Sequence, residues 1–221
     1  MKHAFPRPEL RETLIAGLAR LPGAADVDPE PLLDYLQLLH RWNRAYNLSA
    51  VREPGEMVYR HLLDSLSVLP YLQGESLLDV GSGPGLPGIP LALARPSLEV
   101  VLLDSNGKKT RFMTQAALEL GLKQVTVVHA RVQEYRPQRK FATIISRAYT
   151  RLDAFVEQVS GLLEPRGQLL AMKGRFDPAT EAPDLPADTL EVIPLHVPGV
   201  DAVRTLVRLH PKPLAGKARQ A

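Results

Sequence analysis

Apolar positions along the chain change their period near residue 75. Before it, Leu10, Leu14, Ile15 and Leu18 recur at helical spacing, and Leu21-Pro22-Gly23 ends that run. Asp28 followed by Pro29 supplies an N-cap and a first-turn residue for a second helix, whose stripe carries Leu32, Leu33, Leu36, Leu39 and Trp42. A third helix is expected over about 57–69. From about Glu75 onward, short apolar runs at 76–80, 99–103, 124–128 and 141–146 alternate with helical patterns at 88–94, 108–120 and 152–163. Such alternation predicts an α/β fold with a parallel sheet and right-handed crossovers. A further strand is expected at 167–172. Segments 190–197 and 202–209, split by Pro198-Gly199, read as an antiparallel pair at the sheet edge. The expected organisation is a helical appendage over 1–74, an α/β domain over 75–210, and a basic, disordered tail over 211–221.

One stretch breaks both periods. Leu77-Leu78-Asp79-Val80-Gly81-Ser82-Gly83-Pro84-Gly85-Leu86-Pro87-Gly88 is a buried strand ending in a glycine turn that opens a helix. Glycines there allow a sharp turn and a ligand's close approach to the backbone. Counted from Gly81, the dinucleotide pattern G-x-G-x-x-G puts Leu86 where its third glycine belongs, and counted from Gly83 it matches but starts two residues late. An acid two places before the first glycine, Asp79-x-Gly81-x-Gly83-x-Gly85, instead resembles the first motif of S-adenosylmethionine-dependent methyltransferases. Asp104, closing the next strand, suits the ribose hydroxyls in either case. Adenosylmethionine, a dinucleotide and a ligand-free glycine turn all stay open on this motif alone.

Composition narrows the chemistry. The 221 residues contain no cysteine, which excludes disulfides, thiolate metal sites and a thiol nucleophile. No run approaches the roughly 20 apolar residues of a membrane span, and the start lacks an apolar signal core, so a cytoplasmic protein without a membrane partner is expected. The formal charge of +3 permits a polyanionic partner without requiring one. Arginine outnumbers lysine, 19 to 8, and guanidinium groups suit phosphate recognition; a GC-rich genome gives the same bias.

Several side chains are candidates for the site. Arg41-Trp42-Asn43-Arg44 with Tyr46 can stack on bases and contact phosphates, or Trp42 and Tyr46 can staple a helix to the core. The core role is favoured for Trp42. His61 and Asp64, three apart on one helix face, are expected to meet, as a structural pair beside the cofactor pocket rather than an acid–base couple. In the pocket, the turn over 81–85 would approach a methionine half, Asp104 the ribose, and the 130–134 loop the adenine, with Val132 as apolar face and Gln133 and Glu134 as polar partners. Arg147, at the end of the fourth strand, is placed to position substrate or cofactor; Arg44, Lys173 and Arg175 are candidate RNA-facing cations on the same rim. No metal-ligand spacing is present. The Asn or Asp with two prolines and an aromatic that hold an exocyclic amine is absent, and without cysteine pyrimidine-carbon methylation lacks its nucleophile. A ring nitrogen with a free lone pair, such as guanine N7, needs neither a general base nor a covalent nucleophile.

These residues add up to a resemblance. Trp42-Asn43-x-Ala45-Tyr46-Asn47-Leu48, Arg60-His61-x-Leu63-Asp64-Ser65, the run from Asp79 to Pro90, Leu102-Leu103-Asp104-Ser105 and Ile145-Ser146-Arg147-Ala148 are similar, in this order, to the bacterial RsmG family, formerly GidB. The resemblance runs from about Leu32 to Lys173. It implies a class I, Rossmann-like methyltransferase with a mostly parallel seven-stranded sheet and an N-terminal helical appendage. It implies methylation of guanine N7 in small-subunit (16S) ribosomal RNA, giving 7-methylguanosine, with S-adenosyl-L-methionine as cofactor. Cofactor contacts are implied at Gly81, Leu86, Val132, Gln133 and Arg147, and an rRNA substrate presented within a ribosomal particle. The expected protein is a monomer. A nucleotide-sensing or ribosome-associated binding protein and a small-molecule methyltransferase are the alternatives, the second disfavoured by the cationic rim.

Overall fold

The computed structural model describes residues 5–147 and 151–210. Two helices lead, α1 (Arg7–Leu18) and α2 (Pro29–Tyr46); α2 is capped by Asp28, whose side chain accepts from the Glu30 amide, and ends at Asn47 in the left-handed region. A continuous helical stretch over 54–66 follows: α3 (Pro54–Met57), a π-wound middle at Val58–Leu63, and α4 (Asp64–Leu66). The expected third helix therefore begins earlier than predicted, at a proline suited to a first turn.

From Ser76 the chain alternates β1 (Ser76–Val80), α5 (Gly88–Ala94), β2 (Glu99–Asp104), α6 (Gly107–Glu119), β3 (Val125–His129), β4 (Phe141–Arg147), α7 (Leu152–Val159) and β5 (Leu163–Lys173). After a short helix α8 (Pro178–Glu181) come β6 (Leu190–Pro194) and β7 (Thr205–Leu209). Among the described residues the strands form one seven-stranded sheet in the order β3-β2-β1-β4-β5-β7-β6, with β7 antiparallel to both neighbours and the other pairings parallel. The antiparallel pair lies at the sheet edge as expected, with both strands shorter than predicted. β5 starts at Leu163, four residues before the expected position. Its pairing with β4 shifts register between Phe141 and Thr143, and exposed Glu164-Pro165-Arg166 occupies the irregularity. Proline, lacking an N–H, is tolerated at such a bulge.

The sheet separates two apolar layers. One holds Leu78, Val80, Val101, Leu103, Ile144, Phe155 and Leu169, under α7. The other runs without a break from Leu10, Leu14 and Leu18 through Leu32, Leu36 and Leu39 to Phe112, Ile145, Leu170 and Leu206. The N-terminal helices thus share a core with α5, α6 and the sheet. Trp42 packs there as favoured, its ring 5.6 Å from Phe112 on α6 and 5.2 Å from Tyr46. The 211–221 tail lies outside the described residues.

Candidate active site

Parallel strands leave their carboxyl ends on one side of the sheet, where helix N-termini and loops enclose a crevice. A cavity of about 360 Å³ opens there, lined by Val80, Gly81, Leu103, Asp104, Ser105, Lys109, Ala130, Arg131, Val132, Gln133 and Arg147. Gly81, Asp104, Val132, Gln133 and Arg147 are brought together as expected. Ser105 and Arg131 join them from the expected strand end and 130–134 loop; Lys109, on the first turn of α6, is the addition not anticipated from the sequence, although a helix start after a strand-end acid is where such a cation belongs.

The glycine turn is pinned from several sides. Ser82 donates its hydroxyl to the Asp79 carbonyl at 2.8 Å, and its own carbonyl accepts from the Gly85 and Leu86 amides at 2.9 and 2.8 Å. Gly81, Gly83 and Gly85 all have positive φ, which explains their identity. Gly81, exposed, lines the cavity; Gly83 is buried behind it, where a side chain would meet nothing nearer than the Lys109 amine at 4.0 Å. At Gly85 it would collide with Ile89 at 2.4 Å, so that glycine serves packing, not ligand approach. Leu86 is buried in the core layer and does not line the cavity.

Asp79 also sits behind the turn, not in the cavity. Its Oδ2 accepts from the Gly88 amide at 2.9 Å, and its buried Oδ1 has no partner among the described residues. Burial pushes this carboxyl up to about 7, against the opposing pull of the Gly88 amide and Arg147. Asp104, by contrast, lines the cavity, with Oδ2 accepting from the Gly83 amide and Oδ1 from the Asn106 amide, each at 2.8 Å. Each oxygen keeps a lone pair for a hydroxyl. Exposed backbone at Gly81, a strand-end carboxylate with spare acceptors and the apolar face of Val132 fit the adenosylmethionine implied by the resemblance. Gln133 faces the same cavity, with its side-chain amide donating to Gln158 at 2.8 Å.

A second cavity, of about 480 Å³, adjoins the first and shares Arg147 with it; its wall also includes Arg60, His61, Asp64, Met172, Lys173 and Arg204. Arg147 donates to Asp64 Oδ2 and to the Arg60 carbonyl, both at 3.2 Å, while Arg204 donates to Asp64 Oδ1 at 2.8 Å. Asp64, buried, therefore holds two guanidiniums on one carboxylate. The expected His61–Asp64 contact does not form. Winding the helix as π through Val58–Leu63 moves residues three apart off one another. His61 Nδ1 lies 3.0 Å from the Arg60 carbonyl and must donate to it, which leaves Nε2 to accept from the Ser49 hydroxyl at 2.8 Å. Burial, then the nearby Arg147 charge, push its pKa down to about 4, so His61 is neutral with both nitrogens engaged.

The cationic rim is thinner than expected. Lys173 is mostly buried and donates to Glu181 at 2.7 Å, so it is an internal ion pair instead of an open RNA contact. Arg175 and Arg44 are exposed; Arg44 lies in the last turn of α2, outside both cavities. Arg204 went unremarked in the sequence because it meets Asp64 across 140 residues.

Residues 28–207 match the family profile described as rRNA small subunit methyltransferase G, GidB. A ribosomal RNA small subunit methyltransferase G of Alkalilimnicola ehrlichii is 56% identical over 193 residues, covering 86% of this chain and 86% of that protein. Its counterpart in Chromohalobacter salexigens is 54% identical over 205 residues, covering 91% of this chain and 98% of the relative. Among solved structures, a SAM-dependent methyltransferase from Aquifex aeolicus shares the fold at a TM-score of 0.55 and 16% identity, covering 75% of this chain and 97% of that one.

Proposed function

The chain belongs to the GidB family of rRNA small subunit methyltransferases, and on that premise we propose that it transfers a methyl group to N7 of a guanine in small-subunit ribosomal RNA. The observation that carries this reading is Arg147, which lines both the cavity suited to the cofactor and the neighbouring cavity of about 480 Å³. S-adenosyl-L-methionine, when bound, supplies a methyl group on a sulfonium. The backbone at Gly81, the Asp104 carboxylate held by the Gly83 amide, and Val132 with Gln133 would hold it; Asp79 and Leu86 would shape the turn from behind.

The chemistry asked of the protein is small. Guanine N7 attacks through a lone pair and loses no proton, so alignment and exclusion of water carry the rate. The second cavity fits that demand. Its buried imidazole is neutral with both nitrogens occupied, and its buried carboxylate is ion-paired with an arginine on each oxygen, so neither is offered as a general base. Arg147 and Arg204 keep further N–H groups for a base oxygen or a phosphate. Exposed Arg44 and Arg175 extend positive charge toward an RNA backbone. The substrate is read as rRNA held in a ribosomal particle, and the enzyme as a cytoplasmic monomer. Among the described residues no helix is long and apolar enough to cross a membrane.

The test is transfer of labelled methyl from S-adenosylmethionine to small ribosomal subunits lacking the modification, followed by digestion and nucleoside identification. Label in 7-methylguanosine is the expected result. Label in another nucleoside would refute the N7 assignment, and cofactor binding without label in RNA would move the chain to sensing or another substrate.

A further inference from the structure

The glycine turn receives one hydrogen bond from far away in sequence. Tyr35, on α2, is fully buried and donates its hydroxyl to the Pro84 carbonyl at 2.9 Å, across 49 residues. The Pro84–Gly85 peptide is then held at both ends: its N–H donates to the Ser82 carbonyl, and its carbonyl accepts from Tyr35. The preceding peptide has no N–H to give, because residue 84 is proline. On either side Gly83 and Gly85 sit at positive φ, where glycine has wide freedom, so among the described residues the Tyr35 bond is the one restraint on the Pro84 carbonyl itself. The phenol is held in place from the other side as well, its ring 6.3 Å from Phe112 on α6, the helix whose first turn brings Lys109 to the cavity. Desolvation keeps it protonated, so it remains a donor at every working pH.

We propose that Tyr35 is a positioning residue for the cofactor: α2 sets the Pro84–Gly85 peptide and so presets the adjoining Gly83 amide, which holds the Asp104 carboxylate on the cavity wall. The inference rests on the assignment of the 360 Å³ cavity to S-adenosylmethionine. Without the hydroxyl, a buried carbonyl loses its partner and the peptide shifts to find another, disturbing the Gly83 amide that holds Asp104. Binding must then restore the turn, and affinity falls by the share of the population that has left it.

The experiment compares wild type, Tyr35→Phe and Leu33→Ala by calorimetry with S-adenosylmethionine and by steady-state methyl transfer to small subunits. Leu33 is buried on the same helix and belongs to the packed core, so it reports general loosening. Tyr35→Phe is expected to raise the cofactor Kd and KM about tenfold, the factor equivalent to one net hydrogen bond, with kcat at saturating cofactor within about twofold of wild type. Leu33→Ala is expected to lower the melting temperature more and the affinity less. Faster hydrogen exchange at the Gly85 amide in Tyr35→Phe, read below its melting temperature, would support the same conclusion. An unchanged Kd in Tyr35→Phe, or an equal loss in Leu33→Ala, overturns the proposal. Failure of wild type to bind the cofactor would instead refute the cavity assignment.

Discussion

Burial moves Asp79 and His61 in opposite directions, and stability must follow both with pH. Asp79 rises from 3.8 to about 7 on folding, so between those values the folded state holds a proton that the unfolded state has lost, and stability falls as pH rises. His61 falls from 6.5 to about 4, so across that span the unfolded state holds the extra proton and stability rises with pH. The two slopes oppose each other from about pH 4 to 6.5, and Asp79 acts alone from there to about 7. Asp79→Asn keeps the acceptor for the Gly88 amide and removes the ionisation. We expect its urea midpoint to rise from pH 4.5 to 6.5 and then stay level, and its advantage over wild type to be larger at pH 8 than at pH 5. Parallel curves for the two proteins would refute the assignment. Residue identities at this site were legible where local backbone dictated them, at Gly81, Gly83 and Asp104. They were illegible where partners are remote, as with Arg204 on Asp64 and Tyr35 on Pro84.

Elements were legible to the extent that their periodicity was local. The strands and helices from β1 to β4 follow their apolar runs closely, because buried parallel strands read as continuous apolar segments. The π winding at Val58–Leu63 has no such signature; it is a packing outcome, and it redirected His61 away from Asp64. The N-terminal helices were read as an appendage, yet α1 and α2 supply fully buried Leu14, Leu32, Leu33, Leu36 and Leu39 to a layer that includes Phe112, Leu170 and Leu206. Fully burying one such side chain is worth about 1.5–3 kcal/mol, so five together rival the whole stability of a domain. A fragment of residues 75–221 is therefore expected to be aggregated or molten, with weak near-ultraviolet dichroism and no cofactor binding. A monomeric, cooperatively melting fragment would show that α1 and α2 are dispensable to the core.

For the molecule as a whole, a formal charge of +3 is too small to make RNA binding indiscriminate, so the placement of exposed cations decides docking. Arg175→Ala is expected to raise the KM for ribosomal particles and lessen its salt dependence, with cofactor affinity and melting temperature unchanged. Lys173→Ala leaves Glu181 without its 2.7 Å partner and is expected to lower the melting temperature instead. If Arg175→Ala had no effect on particle KM at any salt concentration, that arginine would lie off the docking surface. The sheet order carries a consequence for biosynthesis. β7, the last strand among the described residues, inserts between β5 and β6, and its Leu206 joins the same layer as Leu10 and Leu14. During translation at about 5–20 residues per second, the leading helices hold an uncovered apolar face for roughly 10–40 s before their final partner leaves the ribosome. A nascent chain of this protein is thus expected to leave part of its leading helices' apolar surface exposed until its closing strand emerges.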